Sequence, residues 1–158
     1  MVPFAAGALV ILNVVVFPAY RPKTVVERVP AAGAPVVSPS GNEAVGHTPV
    51  TFAVLRSASI NGIDHRASGT ATVRELGDRY VVGLEGIDIQ PGPDYDVYVV
   101  PGADQRNKRG GARLDDLRGN KGTQFYDVPA ALDLSHGSWT VLIWCQTFGV
   151  PVANATPA

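Results

Sequence analysis

The run SWTVLIWCQTF, Ser138 to Phe148, limits the fold more than any other stretch of the chain. In a strand, alternate side chains point to opposite faces. Trp139, Val141, Ile143 and Cys145 would share one face, and Leu142, Trp144 and Phe148 the other. Both faces are apolar, so the strand must be covered on both sides and lie centrally in a sheet. The runs before it are short, alternating and punctuated by turns. In SGTATVREL, Ala71 and Val73 oppose Thr70, Thr72 and Arg74; Gly77–Asp78 then turns the chain into RYVVGLEG, where Tyr80, Val82 and Leu84 share a face. After the PGPD turn, YDVYVVP places Tyr95, Val97 and Val99 on one face and Tyr98 and Val100 on the other. TFAVLRS and TQFYDV read as further strands. The 17 glycines and 13 prolines fit this pattern of strands and turns. Residues 50–158 are therefore predicted to form one all-β domain, a β-sandwich or closed barrel of about seven to nine antiparallel strands.

Two other regions precede this domain. Val2 to Tyr20 carries no charge. As a helix it would extend about 28 Å, close to the ~30 Å hydrocarbon core of a bilayer. Residues 1–20 are read as an uncleaved transmembrane anchor, with Tyr20 at interface depth and Asn13 available for an interhelical hydrogen bond. A cleaved signal peptide fits less well, because no basic start precedes the apolar run. Residues 21–49 are rich in Pro, Ala and Val and read as an extended stalk with a reach of roughly 30 Å if flexible. Arg21, Lys23 and Arg28 follow the apolar run and by the positive-inside rule argue for a cytoplasmic domain. The layout of anchor, stalk and compact β-domain argues for the extracytoplasmic (periplasmic) side, which is the placement expected here.

Net charge is −1, so no basic field points to nucleic acid. ADQRNKRGGAR, 103–113, is a polar loop whose Arg106, Lys108 and Arg109, with Asn13, are candidate contacts for a partner in the membrane. No phosphate-binding loop, dinucleotide fingerprint, nucleophile elbow or metalloprotease helix is present. No nucleophile–base constellation marks an enzyme.

The groups left for chemistry are three histidines and the single cysteine. His47 lies in the stalk, and His136 stands beside Gly137 in a turn. His65 sits between two strands and reads either as a loop histidine bonded to a backbone carbonyl or as a ligand or proton partner. Asp94 reads as a turn residue. Cys145 has no Cys-x-x-Cys partner, and from the residues alone it is most simply a small buried hydrophobe.

The order of motifs adds to this reading. GIDHRASGTATV, GPDYDVYV, LDDLRGNKGTQFYDVP and WTVLIWCQTFGVPVANA together resemble the DM-13 domain, also called the electron-transfer DM-13 domain, over roughly Val54 to Ala155. The matching positions are His65, Gly69, Gly92–Asp94, Leu117, Gly119, Gly122, Gln124, Tyr126 and Trp144–Cys145. The chain departs from the family pattern near its end, with Val152 in place of a Phe and Ala153 in place of a Gly. The resemblance implies a β-sandwich-like fold, often beside a haem-binding DOMON domain, and a redox role centred on the cysteine. Two functions follow as expectations. The first is a membrane-anchored electron-transfer module using Cys145, with His65 as a second ligand or proton partner and Trp144 and Tyr126 as supporting aromatics. The second is a non-catalytic accessory subunit of an envelope or respiratory membrane complex, with Cys145 structural. The sequence requires no cofactor; a haem or metal would have to draw on His65, His136 or Cys145, since the only methionine is Met1.

Overall fold

The computed structural model describes residues 20–30 and 53–158. The apolar run up to residue 19, Asn13, His47 and most of the stalk lie outside the described residues. Among the described residues, no helix is long and apolar enough to cross a membrane. Ten strands are present: β1 (Thr24–Val26), β2 (Val54–Ser59), β3 (Asn61–Gly62), β4 (Ala67–Leu76), β5 (Arg79–Ile89), β6 (Tyr95–Pro101), β7 (Ala112–Asp116), β8 (Lys121–Asp127), β9 (Trp139–Cys145) and β10 (Val150–Ala155). They form two five-stranded sheets, β1-β8-β5-β4-β2 and β3-β10-β9-β6-β7.

The predicted alternation holds through the core. Ala71, Val73, Val82 and Leu84 of the first sheet meet Val97, Val99, Val141, Ile143 and Cys145 of the second in one cluster. β9 lies in the middle of its sheet, between β10 and β6. Its outer face, Leu142 and Trp144, packs with Tyr98 and Val100. Val152 and Ala153 are fully buried, so the chain's departure from the family pattern still fills the core.

The structure corrects four expectations. The closed barrel is ruled out, because the sheets are separate and each keeps two edge strands. The strands number ten among the described residues, not seven to nine. The pairing is not wholly antiparallel, because β1, drawn from the region read as stalk, runs parallel to β8. Phe148 does not share the face of Trp144; it sits on the 146–149 turn, 68% exposed. β3 and β7 escape the period-two pattern because one is only two residues long and the other follows a polar loop.

Candidate functional site

At one end of the sandwich, β6 begins, β9 ends, and the loops 63–66, 90–94 and 117–120 cluster. Among the hydrogen bonds that join these parts, the Leu117 N–H donates to Tyr95 O at 2.7 Å. The Gln90 N–H donates to Arg66 O at 2.7 Å, and the Gln146 N–H donates to Asp94 O at 2.9 Å. The Cys145 thiol donates to Pro93 O at 3.2 Å. The Gly-Pro-Asp turn and the Trp-Cys pair, far apart in sequence, are thus one contact in the fold. Two local features let that turn close. A Cβ on Gly92 would overlap the Tyr95 hydroxyl, and Asp94 takes a φ of 54°, which Asp tolerates better than most residues.

His65 reaches the same end by its own turn. A Cβ on Gly62 would overlap the His65 carbonyl, so a glycine is needed there. Asp64 adopts φ 55°, and the Ile63 N–H donates to Val152 O at 2.8 Å, tying the turn to β10. His65 Nδ1 lies 2.9 Å from Ile63 O. A carbonyl can only accept, so Nδ1 carries a proton, and in the neutral ring Nε2 is the accepting nitrogen.

His65 and Cys145 line one apolar pocket of about 270 Å3, together with Tyr20, Gln90, Pro91, Gly92, Pro93, Tyr95 and Phe148. Cys145 itself is 1% exposed, forming part of the inner wall. Burial, reinforced by the nearby thiol and Tyr20, pushes the Tyr95 hydroxyl up to about 12. A second pocket of about 300 Å3 adjoins it across Tyr20, Pro91, Gly92 and Tyr95, and adds Arg21, Lys23, Asp94 and Asp116.

The remaining expected site residues lie elsewhere. Trp144 is on the opposite face of β9, beneath the Lys108 ammonium, which stands 5.4 Å from its ring and 5.5 Å from that of Tyr98. Lys108 also donates to Gln146 Oε1 at 2.7 Å, so it is committed within the fold. Arg106 and Arg109 remain exposed. Asp96, beside this cluster, accepts from Arg113 Nε and Nη2 at 2.9 Å each and from Gln146. Burial opposes ionisation of Asp96, yet these donors and the Arg113 charge hold its carboxyl below the usual range. Sequence reasoning missed this cluster, because β7 and the turn after β9 bring its members together.

Tyr126 is buried in the first sheet and stays off the pocket. Its hydroxyl donates to Gln124 Oε1 at 2.7 Å, and the Arg118 guanidinium stacks on its ring at 4.4 Å. Burial, partly offset by Arg118, raises it to about 12. The Leu-x-Gly-x-x-Gly-x-Gln-x-Tyr block, 117–126, therefore serves the structure by seating β1. Gln124, wholly buried, bonds both the N–H and the carbonyl of Gly119. A Cβ on Gly119 would lie 2.7 Å from Lys23 O, and one on Gly122 (φ 103°) would overlap Val25 O. Asn120 Oδ1 accepts from the Lys23 N–H at 2.6 Å. Glu27 accepts from the Phe125 N–H at 2.9 Å and pairs with Arg118 at 3.1 Å.

The family model for electron transfer DM13 matches residues 59–156. The chain belongs to the DM13 family. No curated protein and no solved structure matches it. In this DM13 chain the matched region holds every element of the pocket wall except Tyr20. Among the described residues, no three His, Cys, Asp or Glu side chains gather as a metal-binding group. His65 and Cys145 are the two soft-metal ligands the pocket offers. Its volume is at the low end of small-molecule sites.

Proposed function

We propose that this chain is a membrane-anchored, extracytoplasmic redox module of the electron-transfer DM13 family, with the Cys145 thiol as its redox group and His65 Nε2 as its proton acceptor. The observation that carries this reading is that the only cysteine, although shielded from bulk water, is shared between the core and a pocket that also holds a histidine. The bond from the thiol to Pro93 O exists only while sulfur carries its proton. Loss of that proton, or oxidation of the sulfur, breaks the bond and loosens the Pro91–Asp94 turn, so the thiol state is coupled to the pocket rim.

A second reading rests on the near-complete burial of Cys145 within the core cluster. In it the chain is an accessory subunit of an envelope or respiratory membrane complex, and the thiol only fills space.

One experiment separates the two. The folded full-length chain is treated with glutathione disulfide, and modified Cys145 is counted by mass spectrometry. For a redox thiol, modification is faster than global unfolding, and His65→Gln slows it without lowering the melting temperature. Modification that tracks the unfolding rate, with the Cys145→Ser chain matching wild type in every redox assay, leaves only the accessory reading.

A further inference from the structure

We propose that the pocket end of the sandwich rests on the bilayer surface, so that the Cys145–His65 pocket opens into the headgroup layer and admits an uncharged, apolar small molecule dissolved in the membrane. This rests on the anchor and redox reading above and adds to it a docking geometry and a substrate class.

The apolar run ends at Tyr20, and β1 begins at Thr24, already paired to Lys121 at the start of β8. Even fully extended, that separation spans at most about 14 Å. The interfacial layer on each side of a bilayer is about 5–8 Å thick. The ~30 Å of slack expected of a free stalk is therefore unavailable at this point in the chain. Tyr20 itself lines both pockets, so the residue expected at interface depth is already part of the site.

The surface chemistry points the same way. Phe148, on the tip of the β9–β10 turn, is 68% exposed and lines the same pocket as Tyr20. Val150, next to that turn, is also exposed. A lone exposed valine is ordinary on a soluble domain; an exposed phenylalanine at the mouth of an apolar pocket fits an interfacial wedge better. Arg21 and Lys23 are exposed in the adjoining pocket and suit anionic headgroups; Arg118 lines that pocket too, and Asp94 and Asp116 limit its net charge. The wall of the inner pocket is mostly apolar; its polar groups are the Gln90 amide, the Tyr20 and Tyr95 phenols and the two candidate redox groups, and no Asp, Glu, Lys or Arg lines it. Such a wall favours an uncharged ligand partitioning from lipid over a hydrated ion.

The test uses the full chain in vesicles of phosphatidylcholine and phosphatidylglycerol. In a Cys145→Ser background, an environment-sensitive fluorophore is placed by Thr147→Cys, Asp78→Cys or Val10→Cys, and quenching by brominated lipid is read. Thr147 neighbours Phe148, and Asp78 lies at the far end of β4 and β5. The expected result is strong quenching at 147 and at 10, none at 78, and loss of the quenching at 147 when Phe148→Ser is added. Quenching at 10 with none at 147 overturns the docked geometry and leaves the anchor standing. No quenching at 10 overturns the anchor and the docking together. In the same vesicles, wild-type Cys145 should react faster with a bilayer-partitioning alkyl maleimide than with a charged one. Equal rates overturn the lipid-phase substrate, and no reaction with either overturns the accessible pocket itself.

Discussion

Gly122 shows how much one residue carries. Its φ of 103° is a conformation that side-chain-bearing residues rarely take, and a Cβ there would overlap the Val25 carbonyl. Gly122→Ala is therefore expected to cost about 1–3 kcal/mol from backbone strain alone. That lowers the melting temperature by roughly 2–12 °C. Gly137, also at positive φ but with open space around it, provides the control: Gly137→Ala meets only the backbone penalty and no clash. Calorimetry of the two variants checks this; equal losses would show that β1 is not held against Gly122. The same residue scale explains why the pocket was only half legible in the sequence. Cys145 and His65 stood out because they are rare residue types. That they line one cavity depends on Gly62, Gly92 and Asp94, which close two turns and leave no periodic signature. Trp144, adjacent to Cys145 in sequence, lies on the other face for the reason alternation gives.

Among the elements, β1, like β3 and β7, is one that sequence pattern could not supply. TVV sits in a Pro- and Ala-rich stretch, is three residues long, and is ordered by what it meets. Its partner is a motif almost a hundred residues later, and Glu27 makes the lock by bonding the Phe125 N–H and pairing with Arg118. By contrast β4, β5, β6 and β9 were readable, because period-two burial against a shared core leaves a trace in each segment. Glu27→Ala should strip the Phe125 N–H of its acceptor and loosen the strand, at a cost of about 1–3 kcal/mol. Amide exchange reports it. The Phe125 amide, and the Lys121 amide that donates to Lys23 O at 3.1 Å, should lose roughly 5–150-fold in protection. The Val99 amide in the second sheet should not change. Unchanged protection at Lys121 would mean that β1 stays seated without Glu27.

At the scale of the whole molecule, the two sheets meet around phenols that favour the neutral state. Tyr95 lines the pocket and Tyr126 lies on the inner face of the first sheet; burial, the largest cause in each case, raises both to about 12. The ordinary phenol value is about 10. A raised acid value means that the fold binds the protonated form more tightly than the unfolded chain does. The stability this contributes is complete below about pH 10 and is lost as pH rises from 10 to 12. The native chain is thus expected to resist tyrosinate formation at two of its five tyrosines and to unfold cooperatively in that window. A spectrophotometric titration followed in parallel by circular dichroism checks this. The Tyr95→Phe and Tyr126→Phe variants should each shift the alkaline transition upward, since each removes a group that must ionise. Of the two, Tyr95→Phe should also change the rate at which Cys145 reacts, because Tyr95 shares its pocket and Tyr126 does not. Tyrosinate forming at ordinary pH with the fold intact would show that water reaches Tyr95 freely, and the pocket would then be an open cleft, against the proposed docking on the membrane.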